Sequence, residues 1–365
     1  MRIANLSITN FRNIQKASLS GLADLNIFVG KNGSGKTSIL EAINFLSSAK
    51  SFRSQRIQHV IHKGSESCLV VAQDFDLLTL GVQKSLDGTA VIRHSGDTIR
   101  SASQLADILP LQVINEDTFQ LLTAGPQHRR QMMDWGVFHV EPKFYHCWVQ
   151  CQKALKQRNA LLRQYKQATP LPLLETWSDL LCESSLQLDG FRNYWFEKFS
   201  SLVKPILEEL LPQIFESISF SYSRGWDKKR DLMTCLDDGL STDLHRGFTH
   251  YGPHRADIKV RVDGVPAEEV LSRGQQKLVV AAMKITQQRI LDEINKTSSY
   301  VIDDLSAELD GINAGKLLNL ILSGKSVEQV FLTAISEADI PCIEKIYEKK
   351  ITMFHVEHGV INPAE

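Results

Sequence analysis

Nine consecutive residues, Gly30-Lys31-Asn32-Gly33-Ser34-Gly35-Lys36-Thr37-Ser38, have the types and spacing to hold a polyphosphate. The glycines let backbone N–H groups wrap phosphate oxygens, Lys36 can reach the terminal phosphates, and Thr37 can offer its hydroxyl to Mg²⁺. Residues 25–29 before the loop are a short apolar run of strand type, and 37–46 after it place Ile39, Leu40, Ile43 and Leu46 at helical spacing. The helix start then points its unpaired N–H groups and positive dipole end at the anion. A glycine-rich connection in some other α/β unit is the competing reading; the flanking strand and helix and the extra Gly33 weigh against it.

Two more stretches could do chemistry. Tyr300-Val301-Ile302-Asp303-Asp304 is an apolar strand ending in two carboxylates, which sets acids at the C-terminal edge of a sheet beside the phosphates. Asp303 there holds Mg²⁺ through water, and Asp304 orients or deprotonates the attacking water, since in-line hydrolysis needs a polar acceptor near the γ-phosphate. Alone, the pair is equally well a capped strand end with two solvated acids; the phosphate loop tips the balance. Leu271-Ser272-Arg273-Gly274-Gln275-Gln276-Lys277 precedes a helix, with Ser272 as its N-cap and Gly274 relaxing the backbone at the start.

These residues need a sheet and helices to carry them. Strand signals fall at 3–11, 68–75, 78–83, 90–94 and 111–114, with turn signals such as Asp87-Gly88 and Ser95-Gly96-Asp97 between them, so the first third is a β-rich lobe around the loop helix. From about 127 to 211 the period becomes helical; 143–167 is rich in Gln, Lys, Arg, Leu and Ala, and Pro170 and Pro172 break the run before a second helical stretch. Strand character returns at 218–222, and 251–262 leads into an alternation of helix 275–294, strand 300–302, helix 314–322, strand 330–332 and a β pair around Gly359. The expected division is 1–122, an inserted helical arm at 123–245, and 246–365, so that one α/β fold is split by the arm.

Composition narrows the field. A chain of 365 residues has room for two or three cores, and 43% hydrophobic with 23% charged residues is ordinary globular usage. No signal peptide or membrane-spanning apolar run is evident, so a cytoplasmic protein without a membrane partner is expected. Six cysteines are scattered without a Cys-x-x-Cys pair, as suits reduced thiols. Cys147 and Cys151 beside His146 could ligate a metal, but no second ligand pair follows, and buried thiols on a helix face are the favoured reading. His245, His250 and His254 are discounted as ligands because Gly247 and Gly252-Pro253 argue for loops.

Motifs along the whole chain resemble those of the RecF family of SMC-like ABC ATPases, in particular its gammaproteobacterial members. They are Phe11-Arg12-Asn13, the loop at 30–38, Phe52-Arg53-Ser54, Gly125-Pro126 with Arg129-Arg130, Asp134-Trp135-Gly136, Gly252-Pro253-His254-Arg255-Ala256-Asp257, the ABC signature at 271–277, and Ile302-Asp303-Asp304 through Ala307-Glu308-Leu309-Asp310. The resemblance implies a P-loop ATPase head of ABC/SMC type, with a β-rich lobe, an α/β lobe and an inserted α-helical arm. ATP and Mg²⁺ are the implied cofactors, with Lys36, Asp303, Asp304 and Ser272 as the catalytic set. Arg12 and Asn13 would lie beside the nucleotide. Ser272, Arg273, Gly274 and Gln275 would contact the γ-phosphate of an ATP held mainly by the other subunit of a homodimer, and 307–310 would communicate between subunits. Asp304 stands where ABC transporters have glutamate and Thr333 near where they have histidine, so a shorter acid and a neutral switch imply slow hydrolysis, stimulated by DNA.

Family resemblance also implies the biology: a mediator acting at single-strand gaps and their duplex junctions, with RecO and RecR, to help RecA load in repair and the SOS response. A net charge of −1 leaves room only for a local DNA-binding patch. Lys153, Lys156, Arg158, Arg163 and Lys166 on the arm, and Lys228-Lys229-Arg230 after Trp226, are the clusters available, against the alternative of a solvated helix face and a charged turn. Contacts of this kind are backbone-directed and indifferent to base sequence. The rival function is the ATPase subunit of a membrane transporter, disfavoured because more than about two hundred residues separate phosphate loop from signature. A small-molecule kinase would leave the signature unexplained.

Overall fold

The structure, a computed structural model, describes residues 1–164, 171–339 and 349–363. It divides into two compact units, one made of Met1–Phe119 with Arg273–Glu365 and one of Gln120–Ser272.

The first unit holds two six-stranded sheets. One is mixed, in the order Val360–Pro363, Ile351–Glu357, Leu25–Val29, Val327–Ala334, Ser298–Ile302, Leu111–Ile114, with the terminal Val360–Pro363 pairing antiparallel and every other pairing parallel. Leu25–Val29 and Ser298–Ile302 are buried at every position, as strands covered on both faces must be, and so they read as continuous apolar runs rather than alternations. The second sheet is antiparallel, in the order Ile14–Leu19, Ile3–Phe11, Ser67–Asp74, Thr79–Ser85, Ala90–His94, Asp97–Thr98. Ile14–Leu19 escapes sequence reading because only Ile14 and Leu19 of its six residues are buried, which is too sparse for a strand signal.

Helix Lys36–Ser48 runs between the sheets and touches strands of both. It is therefore buried on all sides, and Ile39, Leu40, Ile43 and Leu46 join Phe11, Phe28, Val70, Val301 and Phe331 in one core. Because the central strands are parallel and in register (Val29 opposite Ala334, Ile302 opposite Leu332), their C-terminal ends open on one edge. Whatever follows those strands meets there.

The second unit pairs helices Phe144–Gln164 and Leu171–Leu210 and adds helix Pro126–Val140 and a three-stranded sheet, Val265–Pro266, Asp257–Val262, Ile218–Ser223. Pro172 falls in the first turn of its helix, where a missing N–H costs nothing, whereas Pro205 lies inside it; Pro170 lies outside the described residues. The register Ser223 opposite Asp257 binds the stretch after residue 246 into this unit. Its boundary accordingly falls at Ser272, beyond the 245 expected from sequence, because strand pairing outweighs the local return of α/β character. Bidentate ion pairs lock the unit: Arg129 on Asp257 at 2.8 and 3.0 Å, and Arg192 on Asp134 at 2.8 and 2.9 Å.

Candidate functional site

Strand Leu25–Val29 stops where Gly30 donates its N–H to the carbonyl of Ala334 at 3.2 Å, and the chain then wraps into a loop before helix Lys36–Ser48 begins. Gly30 and Gly35 are required by space. A Cβ on Gly30 would lie 2.3 Å from the carbonyl oxygen of Val356, and Gly35 combines φ +118° with a would-be Cβ 2.9 Å from the Asn13 amide nitrogen. The Lys36 ammonium folds back over the loop, donating to the carbonyls of Gly30 and, at 3.0 Å, Lys31. Burial lowers its pKa, while the charges of Asp304 and Asp303 act in the opposite sense. Ser34 adds a buried hydroxyl without a hydrogen-bond partner among the described residues.

A cleft of about 600 Å³ opens over this loop. Asn32, Gly33, Gly35, Lys36, Thr37 and Ser38 line its floor, and Asp303, Asp304 and Thr333 line the side formed by the strand ends. Thr37 Oγ1 donates to Asp303 Oδ1 at 3.0 Å, and Thr333 Oγ1 donates to the same oxygen at 2.9 Å while accepting the Asp304 N–H at 2.8 Å. Thr333 is thus the link that sets both acids. Burial raises the Asp303 carboxyl above the ordinary carboxylate range, the two threonine hydrogen bonds counter this, and the neighbouring Asp304 charge adds to it. Asp304 is a non-glycine residue at φ +52°, a left-handed conformation that turns the chain sharply out of the strand into the short helix Leu305–Glu308. The hydroxyl of Thr37 and the carboxylate of Asp303 are hard oxygen donors of the kind Mg²⁺ takes, and they face each other.

Arg12 and Asn13 line the cleft too. Asn13 accepts from Ser38 Oγ at 2.7 Å. The Arg12 guanidinium, however, is already engaged, bidentate to Glu41 at 2.9 and 2.6 Å and donating also to the carbonyl of His59. Arg53, His59, Ile61 and Lys63 complete the lining. Sequence reading gave these four no role, because 51–63 has neither glycine pattern nor strand period; the visible signal was Phe52-Arg53-Ser54 as a family motif.

Ser272, Arg273 and Gly274 are exposed, and none of Arg273, Gly274 and Gln275 lines the cleft. Helix Arg273–Glu293 begins immediately after Ser272, as an N-cap position requires. Its first turn is tied down by Lys277, whose ammonium reaches Glu308 Oε2 at 2.6 Å and the Glu308 carbonyl at 2.9 Å. One exposed helix start is therefore clipped to the turn that follows the strand acids.

Elsewhere, Arg158 is corrected as a DNA-facing candidate: it is 1% exposed, with Asp243 and Thr249 each at 2.7 Å, because a guanidinium inside the helix pair must be paired. Lys153, Lys156 and Arg163 stay exposed, and Lys166 lies outside the described residues. Lys228 and Lys229 are exposed, and Arg230 pairs with Asp238. Cys147 and Cys151 are buried, with burial pushing the Cys147 thiol up to about 11, while Cys342 lies outside the described residues. His250 meets Asp243 at 2.7 Å, and burial brings His254, hydrogen-bonded to the Thr249 carbonyl, down to about 4. Among the described residues no helix is long and apolar enough to cross a membrane.

A mixed, mainly parallel sheet with a glycine loop and paired acids at one edge, an antiparallel sheet packed over the loop helix and a helical insertion define the head fold of ABC/SMC-like ATPases. The family model for the RecF/RecN/SMC N terminal domain matches residues 2–362. The chain is similar to the DNA replication and repair protein RecF of Shewanella oneidensis, 39% identical with 100% of both chains covered, and to that of Pseudomonas syringae, 41% identical with 99% of this chain and 98% of the relative covered. It belongs to the RecF family. Among solved structures it resembles the recombination mediator protein RecF-ATP in the RecFOR pathway, with a TM-score of 0.86 at 23% identity over 100% of this chain and 98% of that one. It also resembles the Smc head domain from Pyrococcus furiosus, with a TM-score of 0.59 at 17% identity over 100% and 96%. At those identities the likeness speaks to fold.

Proposed function

We propose that the chain is an ATP-dependent, DNA-binding recombination mediator that closes as a homodimer around two ATP molecules. One observation carries the reading: residues far apart in sequence, Lys36, Thr37, Asp303, Asp304 and Thr333, converge on one cleft, while Arg273 and Gly274 of the signature lie outside it and, like Ser272, are exposed. Each copy then holds a complete phosphate cradle and lends an exposed helix start to the other. The family supplies the rest of the proposal: single-strand gaps and their duplex junctions as the DNA, RecO and RecR as partners, and RecA loading as the outcome, in the cytoplasm.

The chain's own residues divide the work. The triphosphate takes the place of the Gly30 and Lys31 carbonyls as acceptor for the Lys36 ammonium, with loop N–H groups around it. Thr37 and Asp303 are the residues that would hold Mg²⁺, the latter through water, and the ion would neutralise phosphate charge there. Asp304 orients and deprotonates the attacking water, its backbone fixed by Thr333. A carboxylate one methylene shorter than glutamate and a neutral Thr333 near where transporters have histidine favour slow turnover until DNA is bound; rapid turnover without DNA would sink that part.

Solution sizing tests the whole. With ATP and DNA the chain is expected to dimerise, Lys36→Met, with its ATP affinity cut, to remain monomeric, and Ser272→Arg to bind ATP yet remain monomeric. A Ser272→Arg chain that dimerises normally would mean that the two copies share no site.

A further inference from the structure

The carboxylate of Glu41 is wholly buried on the loop helix, one turn after Thr37, and no phosphate chemistry requires it there. A buried carboxylate persists only where charge and hydrogen bonds compensate it. Here it holds three pieces of the cleft. Arg12 grips both its oxygens, at 2.9 and 2.6 Å. Ser51 donates to it, and the same Ser51 hydroxyl accepts the N–H groups of Arg53 at 3.0 Å and Ser54 at 2.8 Å, fixing the turn that carries Arg53. Through Arg12 the carboxylate reaches the carbonyl of His59 and so the wall 59–63. That wall is otherwise stitched to the first strand by Arg12 N–H to the Val60 carbonyl at 2.7 Å, His62 N–H to the Asn10 carbonyl at 2.9 Å and His62 Nδ1 to the Arg12 carbonyl at 2.8 Å.

These contacts separate the cleft into two jobs. The floor, residues 32–38, is set by its glycines and helix start and by Asn13, whose side chain bonds Ser34 and Ser38, and the Glu41 carboxylate makes none of these hydrogen bonds. The wall that bears Arg53, His59, Ile61 and Lys63 is no strand of its own and meets the first strand through the bridge of Phe11 with Ile61, and Glu41 and Arg12 register it against the floor. We infer that Glu41 is a positioning residue for the nucleoside side of the nucleotide: through Arg12 and Ser51 it holds the cleft wall at the distance that fits base and ribose, so it governs recognition of a nucleoside triphosphate as distinct from bare polyphosphate. Arg12 on this account acts as a strut, since four of its five N–H donors go to Glu41, His59 and, at 3.3 Å, Ser51. Its left-handed φ of +55° aims the side chain inward from the turn between the first two strands.

The inference rests on the proposed nucleotide site, and the test separates the two. Calorimetric affinities for ATP and for inorganic tripolyphosphate, each with Mg²⁺, are compared between the wild-type chain and Glu41→Gln, which keeps the shape and removes the charge. The expected result is about a tenfold loss for ATP with tripolyphosphate changed less than about twofold, because charge-assisted hydrogen bonds are lost only on the wall side. Arg12→Lys, which cannot span Glu41 and the His59 carbonyl together, repeats the selective loss from the other end of the strut and stands in if Glu41→Gln fails to fold. Equal losses for both ligands, or none for either, would overturn the positioning role while leaving the nucleotide site standing. A wild-type chain that binds neither ligand would overturn the nucleotide site itself.

Discussion

The phosphate loop at 30–38 and the signature stretch at 271–277 are treated in opposite ways by the fold. Around the loop the chain has concentrated charges at a cost: Lys36 and Asp303 are both shifted toward neutrality by burial, Asp304 sits in a left-handed conformation, and Ser34 has a buried hydroxyl with no partner among the described residues. Around the signature Ser272, Arg273 and Gly274 are exposed, and Lys277 ties the helix start to Glu308. A site for a small anion must be assembled before the anion arrives, whereas a surface for a second copy need only be rigid and accessible. On the proposed reading, the first half-site is preorganised at the expense of stability, and the second presents an exposed helix start to another copy.

Three measurements can break or sharpen that contrast. The largest effect is on ATP affinity of the isolated copy: Lys36→Met is expected to lose about a hundredfold, as befits a charge-assisted contact at the centre of the cradle, and Ser272→Arg less than about twofold. If Ser272→Arg weakened ATP binding by a monomer as much as Lys36→Met did, the two stretches would form one site in one chain. Next comes stability against pH. Because burial raises the folded pKa of Asp303, the folded state binds that proton more tightly than the unfolded chain does, so ionised Asp303 lowers stability at neutral pH. Asp303→Asn should therefore melt higher than wild type at pH 7, by about 2 °C for each kcal/mol recovered, with the advantage shrinking as the pH falls through the raised value. Ser272→Ala, which removes an N-cap hydroxyl but no carboxylate, should shift melting by the same amount at every pH. Equal melting of Asp303→Asn and wild type at pH 7 would remove the claim that the loop side stores strain. The smallest effect concerns Lys277→Met, which cuts a partly exposed ion pair and should cost about fivefold in ATP-driven dimerisation without altering ATP affinity of the monomer. A change in monomer affinity instead would show that the Glu308 turn feeds back on the cradle.

Much of the loop side was legible because its determinants are local. Glycines at fixed offsets, a strand before and a helix after are short-range signals, and the parallel strands announce themselves as unbroken apolar runs. Strand Ile14–Leu19 was invisible because an edge strand with two buried residues carries little pattern. Arg158 shows the reverse error: on a helix rich in cations it reads as solvent-facing, and only the neighbouring helix and Asp243 make it an interior group. Thr333 was visible as a departure from a family pattern, yet its position between the two acids could not be read from the residues around it.

By itself, then, the sequence determined the glycine loop between strand and helix, the acid pair at a strand end, the helix start after Ser272 and the α/β class with a helical insertion, since each is written in contiguous residues whose conformation follows from local sterics and periodicity. Tertiary structure alone decided that Thr37, Asp303 and Thr333 share one oxygen, that Glu41 and Arg12 register the cleft wall, and that the second unit runs to Ser272. Those facts depend on which strand lies beside which and in what register, and a register links residues hundreds of positions apart that carry no local mark of each other.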